Sequence, residues 1–107
     1  MEFNFTMKQY YLDDNNEPVE VKDLLEWASN PRSHVPVDRT EIGKAVVSTI
    51  FLGLSDIFGN PVFETMIFGG PLDMYQERCR TWAQALEQHA EAVSLHNESL
   101  ELRRIKE

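Results

Sequence analysis

The sequence is poor in cysteine and in positive charge, and both shortages exclude classes of protein. The single cysteine, Cys79, cannot form an intramolecular disulfide, and alone it cannot build a zinc site from thiolates. No apolar run approaches the roughly 20 residues of a membrane helix, and the first residues lack the basic and then apolar layout of a secretory signal. We therefore expect a cytoplasmic protein without membrane contact.

The charge argues against direct binding of nucleic acid. Only 10 basic residues accompany 18 acidic ones, which gives a net charge of −8. A field of this sign repels phosphate backbones over a Debye length of about 8 Å and suits a basic protein surface. Solubility alone is an equally good explanation of the charge, so imitation of nucleic acid by the acidic surface stays open.

The overall composition predicts one domain over residues 1–107 with a packed core. Apolar residues make up 42% of the chain and charged residues 26%, as is usual for globular proteins. All glycines lie between Gly43 and Gly70, and neither glycine nor proline follows Pro71. This distribution separates a turn-rich sheet from a helical C-terminal region.

The hydrophobic pattern predicts an α+β fold. In chain order we expect a strand at 3–11, a hairpin arm at 19–21, a short helix at 22–29, strands at 44–52, 62–68 and 74–80, and a long helix from residue 81. Residues 31–40 are predicted to be a loop or an irregular edge, and residues 53–61 a long loop. The result is an antiparallel sheet, made of an N-terminal hairpin and a three-stranded meander, with both helices on one face.

Two of these elements have a predicted buried side. In the first strand the inward residues are expected to be Phe3, Phe5, Met7 and Tyr11. Thr81 and Gln84 form a capping box that opens the last helix. The stripe of this helix that should face the sheet comprises Trp82, Leu86, His89, Val93, His96 and Leu100.

The titratable residues predict no metal site and no cofactor. His89 and His96 are two helical turns apart, too far to chelate one ion, so we expect both to lie buried with hydrogen-bond partners in the sheet. Cys79 stands just before a helix N-terminus, which would favour a reactive thiol, but its inward position in the strand favours a structural role.

Glu64 is the most unusual carboxylate because it interrupts an apolar strand. A buried unpaired charge is costly, so we expect an ion pair with Arg78 or Arg80 on the neighbouring strand. A catalytic acid is the less favoured interpretation. No catalytic residues are predicted.

The last helix carries the strongest signal for an interaction. Leu95 and Leu102 fall outside the buried stripe and leave an apolar strip between glutamates. Such a strip indicates a protein partner or a second copy of the chain, although fraying of the helix end explains it equally well. The predicted partner-binding residues are Glu87, Glu91, Leu95, Glu98, Glu101 and Leu102.

Several segments together resemble a family of small proteins from tailed bacteriophages and prophages that has no assigned activity. The segments are residues 47–54 (VSTIFLGL), residues 63–70 (FETMIFGG), Thr81-Trp82 with the downstream His89, and the acidic turn and helix within residues 10–27. The sequence departs from the family in the loop after residue 52 and in a polar C-terminal extension.

The resemblance implies a bacteriophage origin and the cytoplasm of the host cell. By class-level analogy, small acidic phage proteins without catalytic motifs inhibit host machinery, as anti-CRISPR and other anti-defence proteins do. We therefore expect a stoichiometric inhibitor that binds a host protein or protein complex. The alternative is a small-ligand or nucleotide binder that uses Asp56, Asn60 and Glu64, and an enzyme is the least favoured reading.

Overall fold

The computed structural model describes residues 7–106, which form an antiparallel sheet of six strands with a long helix across one face. The strands are β1 (Gln9–Leu12), β2 (Pro18–Val21), β3 (Val35–Ile42), β4 (Ala45–Ser55), β5 (Pro61–Phe68) and β6 (Gln76–Cys79). The helices are α1 (Leu24–Ser29) and α2 (Trp82–Lys106), with a short 3-10 turn at Pro31–Ser33. The predicted α+β class is confirmed.

The long strand β4 is the centre of the sheet. The strand order is β2-β1-β4-β5-β6, and β3 also pairs with β4. β5 follows one edge of β4, while β3 and then β1 share the other edge, as the partners Val35↔Phe51 and Gln9↔Leu54 show. The predicted meander therefore consists of β4, β5 and β6.

The predicted N-terminal hairpin is confirmed, but its buried side is not the predicted one. Residues 1–6, and with them Phe3 and Phe5, lie outside the described residues. Met7 is 56% exposed, whereas Tyr10 and Leu12 face the core. The Tyr10 hydroxyl also donates to the Gly59 carbonyl, and this hydrogen bond holds β1 with Tyr10 on the core side.

Of the two interpretations of residues 31–40, the irregular edge is confirmed and the loop is wrong. A 3-10 turn occupies Pro31–Ser33, and β3 runs from Val35 to Ile42 and pairs with β4 along its length. Pro36 is tolerated because it lies on an edge strand, where one N–H need not bond, and a bulge follows between Pro36 and Asp38. Proline and alternating charges hid the strand pattern.

The predicted loop at 53–61 is also shorter than expected. β4 continues through Gly53 to Ser55, and Ser55 pairs with Pro61, so only residues 56–60 form the turn. Gly53 adopts φ +75°, and a Cβ there would lie 1.8 Å from the Ser33 carbonyl oxygen. Only glycine lets the strand bend at this close approach.

The short helix α1 is attached to the sheet mainly by Trp27. The indole N–H of Trp27 donates to the carbonyls of Tyr10 and Gly53, each at 3.1 Å. The Asp23 side chain caps the N-terminus. The two leucines of α1 are not buried, since Leu24 and Leu25 are 58% and 79% exposed.

The long helix begins as predicted and is rotated about its axis relative to the prediction. Thr81 Oγ1 accepts from the N–H of Gln84, and Gln84 Oε1 accepts from the N–H of Arg80, each at 3.1 Å. The buried residues of α2 are Ala85, Gln88, His89, Ala92 and His96. Trp82, Val93 and Leu100 are half-buried, and Leu86 is 44% exposed, contrary to the prediction.

The core lies between α2 and the inner face of the sheet. One cluster includes Phe51 and Phe63, whose ring centroids are 5.0 Å apart, and Trp82 meets Phe63 edge to face. A second cluster joins Val47, Ile67 and Ala92 further along the helix. The small side chains of Ala85 and Ala92 let the helix approach the sheet closely.

Candidate protein-binding surface

The predicted partner-binding residues share one side of α2, opposite its buried side. We call this surface the acidic face; it comprises Glu87, Glu91, Leu95, Glu98, Glu101 and Leu102. All six residues are exposed. A helix places residues three and four apart on the same side, so the packing of Ala85 and Ala92 against the sheet turns this face toward solvent.

The last turns of α2 extend past the sheet. His96 still packs on Ala45 and Gly70 at the end of the sheet, and residues 101–105 are all exposed. On the side away from the sheet, Leu95, Leu102 and Ile105 are 39%, 60% and 79% exposed, while Leu100 between them is half-buried. The apolar strip is therefore accessible on a projecting helix.

The negative field of the acidic face comes mainly from three of its glutamates. Arg104 Nη1 lies 3.3 Å from Glu101 Oε1, which partly neutralises that carboxylate. Glu87, Glu91 and Glu98 have no ion pair among those found in the described residues. A partner with Lys or Arg beside an apolar patch would match this surface in both charge and hydrophobicity.

The inner side of α2 holds a buried polar network. His89 Nδ1 lies 2.7 Å from Thr49 Oγ1, and His89 Nε2 lies 2.8 Å from Thr40 Oγ1. Thr49 continues to Thr65 at 2.7 Å, and Gln88 donates to Thr65 at 2.8 Å. Thr49 and Thr65 are fully buried, so no substrate reaches their hydroxyls.

Burial and a nearby carboxylate act on His89 in opposite directions. Desolvation lowers the pKa of His89 below its ordinary value, and Asp38 Oδ2, 3.7 Å from Nε2, opposes this shift. The net direction is downward, so the imidazole is neutral at pH 7 and bonds both threonines. The predicted partners in the sheet are present for His89, whereas His96 Nδ1 is buried without one.

The geometry around Cys79 favours the structural interpretation of this thiol. Burial is the main cause that raises the pKa of Cys79, and its Sγ lies 3.9 Å from the Thr81 carbonyl. A raised pKa leaves little thiolate at neutral pH. In β6 the side chain of Cys79 is half-buried, as predicted, while Gln76, Glu77 and Arg78 are all exposed, so the strand does not alternate strictly.

The three residues of the alternative ligand site divide between two places. Asp56 and Asn60 meet in the β4–β5 turn, where the Asp56 carboxylate accepts from the N–H groups of Phe58 and Asn60. The backbone hydrogen bond from Asn60 is the main cause that lowers the pKa of Asp56. Glu64 lies along β5, where it accepts from Arg78 Nε at 2.9 Å and from Gln76 at 2.7 Å.

The predicted ion pair between Glu64 and Arg78 is thus confirmed. The Glu64 carboxylate already accepts hydrogen bonds from Arg78 and Gln76. Asp56, by contrast, borders a groove of about 630 Å³ between β6 and the first half of α2. The groove also reaches two of the partner-binding glutamates, Glu87 and Glu91. It is lined mainly by polar side chains of both charges.

Sequence reasoning missed two exposed apolar residues at the tip of the β4–β5 turn. Ile57 and Phe58 are 68% and 80% exposed, on a turn that the Asp56 side chain holds in place. The signal was present in the sequence, because two large apolar residues stand among the turn formers Ser55, Asp56 and Gly59.

Comparison with models of protein families, with curated proteins and with solved structures found no match to this chain. The phage resemblance therefore stays a prediction. Within residues 7–106, neither helix combines the length and apolar character that crossing a membrane requires. The same residues contain no group of three or more His, Cys, Asp or Glu side chains arranged to hold a metal ion.

Proposed function

We propose that this protein acts by binding another protein through the acidic face of α2, as a bacteriophage accessory protein that inhibits a bacterial defence complex by occupying a basic surface. One observation carries the proposal: Leu95 and Leu102 are exposed between glutamates on a helix whose end extends past the sheet. A stoichiometric inhibitor needs shape, charge and an apolar anchor, and it needs no reacting group.

The projecting geometry supports binding in a cleft. A helix rises about 1.5 Å per residue, so the stretch from Glu87 to Leu102 is roughly 22 Å long. Such a length fits the helix-in-groove mode, in which residues one or two turns apart anchor an amphipathic helix. The glutamates would then face basic residues on the rim of the cleft.

The test is affinity capture from a bacterial host lysate with the wild-type chain, one double variant of the acidic face and one single control variant. Leu95→Glu with Leu102→Glu should reduce capture of the partner more than tenfold, since buried apolar anchors each contribute about 1–2 kcal/mol. Leu25→Glu is the control, because Leu25 is a leucine on α1 that is even more exposed than Leu95 and Leu102. Equal capture by all three chains contradicts the proposal.

A charge variant tests the second half of the proposal. Glu87→Lys with Glu91→Lys should slow association and remove most of its dependence on ionic strength. Binding that is unchanged at low salt would show that the carboxylates serve solubility alone.

The groove beside Asp56 favours a second candidate, a polar small ligand or nucleotide held by side chains such as Arg80 and Gln84. A thermal-shift screen separates the two candidates. A ligand at 100 times its Kd should stabilise the chain by about 2.7 kcal/mol. Arg80→Ala should abolish that shift without altering capture of a protein partner.

A further inference from the structure

The sheet has a second face that no helix of the described residues covers. Thr40, Thr49 and Thr65 point toward α2, so their neighbours along each strand point the other way. We call this other side the open face; it comprises Arg39 and Glu41 of β3, Val46, Ser48 and Ile50 of β4, Glu64, Met66 and Phe68 of β5, and Gln76 and Arg78 of β6. α1 does not lie over it, since α1 packs mainly beside β1, β2 and the 3-10 turn, and its Trp27 meets β4 at Gly53, beyond the residues of the open face.

The centre of the open face is apolar. Val46 stands opposite Phe68, which is 45% exposed; Met66 lies in the next row, opposite Ser48, and Ile50 in the row after it, opposite Glu64. Val46, Ile50 and Met66 are only half-buried although they occupy the two central strands. In a sheet with one solvated face, these positions would ordinarily carry polar side chains.

The molecule as a whole exposes more surface than a compact domain of its size, and both the projecting end of α2 and the open face contribute to this surface. Its radius of gyration is 16.4 Å, against about 13 Å for a compact domain of this length. Its accessible surface is 7394 Å² for 12.4 kDa, about 1,300 Å² more than a typical monomer of that mass exposes. A standard interface removes about 800 Å² from each partner, so the excess is sufficient for one.

The charges of the open face identify the occupant. Its two arginines are balanced by its two glutamates, through the pairs Arg39–Glu41 and Arg78–Glu64. This face is therefore neutral on a chain of net charge −8. A basic partner gains nothing here, whereas a second acidic copy can approach this face without adding to the repulsion.

From these observations we infer that the open face is the interface of a symmetric homodimer, in which two sheets pack face to face. A two-fold axis parallel to the strands places β3 of one copy over β6 of the other. Each row of paired residues then faces the same row of the other copy, so Val46 and Phe68 meet across the interface and Arg39 lies opposite Gln76. The dimer would present its two acidic faces outward, and it does not depend on the proposed function.

The test is the mass in solution, by light scattering and sedimentation, of the full chain and three variants. The wild type should have twice the mass of one chain, and its melting temperature should rise with concentration. Met66→Glu with Phe68→Glu should give the mass of a single folded chain. Leu95→Glu with Leu102→Glu should remain dimeric, although it loses the proposed partner.

A milder variant covers the case in which the double charge substitution unfolds the chain. Phe68 is already 45% exposed, so Phe68→Ser should fold and should weaken the dimer at least roughly tenfold. A wild-type chain of single mass up to millimolar concentration would overturn the inference. So would a dimer that withstands Phe68→Ser, or one that only the α2 substitutions dissociate.

Discussion

The two sides of β4 carry similar side chains in different surroundings. Val47 and Phe51 point toward α2 and are fully buried. Val46 and Ile50 point away from it and stay half-buried, with no helix of the described residues over them. An apolar pattern on both sides of a strand therefore predicts a central strand correctly. The pattern does not show what covers the second side of the sheet.

The largest expected effect is a difference in the stability lost by substitutions on the two sides of the sheet. Phe63→Ala removes a fully buried ring that touches Phe51 and Trp82, so unfolding should become easier by about 3–5 kcal/mol. Ile50→Ala on the open face, measured in dilute solution, should cost only about 1 kcal/mol because much of the lost area is already in water. Urea denaturation of both variants measures the difference, and equal losses would mean that the open face is as well packed as the core.

What the sequence could predict was mostly local. The capping box at Thr81, the end of α1 before Pro31, and the pair between Glu64 and Arg78 all follow from residues near one another in the chain or on adjacent strands. The strand β3 could be predicted only as a loop or an irregular edge, because Pro36 and its charged neighbours show no strand pattern until β4 supplies the pairing. Pairing with β4 therefore makes this segment a strand.

The rotation of α2 has the same kind of cause. Large apolar residues such as Leu86 suggested the buried side, but the sheet selects small residues and hydrogen-bonding ones instead. Ala85 and Ala92 allow close contact, and Gln88 and His89 bond the threonines beneath them. A pattern of hydrophobicity alone does not show that the inner side of the sheet is itself partly polar.

A second effect concerns pH and distinguishes the polar inner side from the open face. The pKa of His89 is lowered in the folded chain, so the unfolded chain binds a proton more readily. The stability that depends on neutral His89 is therefore fully present above its unfolded pKa of about 6.5 and is lost as the pH falls below it, by at most about 1.4 kcal/mol per pH unit. Urea denaturation between neutral and mildly acidic pH should show the loss, and His89→Gln should remove it.

Asp38 provides the matched control for the pH effect. Its carboxylate opposes the lowering of the His89 pKa, so Asp38→Asn should lower that pKa further and steepen the loss of stability. Substitutions on the open face, such as Phe68→Ser, should leave the pH dependence unchanged. A slope that Asp38→Asn does not alter would indicate that another group titrates.

Helical periodicity predicts that the acidic face is an exposed side of α2, since Glu87, Glu91 and Glu98 recur on one side. The projection of its last turns could not be predicted. It depends on where the sheet ends beneath His96, at Ala45 and Gly70, and that is a property of strand lengths and register. The tip residues Ile57 and Phe58 were missed for the related reason that the turn is shorter than its composition suggested.

The smallest effect probes the open face itself. Glu64→Gln should lower the free energy of unfolding by roughly 0.5 kcal/mol in dilute solution, since Arg78 is half in water and exposed pairs contribute at most about 1 kcal/mol. Glu41→Gln is the matched control, because both members of its pair are more than half exposed and its loss should be near zero.

The same ion pair can report on whether a second copy covers it. In a double-mutant cycle of Glu64→Gln and Arg78→Met, the coupling should stay below about 1 kcal/mol while the chains are dilute. Once a second sheet removes water from the pair, the attraction between the charges is less screened, and the coupling measured at high protein concentration should exceed the dilute value. If the coupling is the same at both concentrations, the pair stays in water, and the open face is then a solvated surface and not an interface.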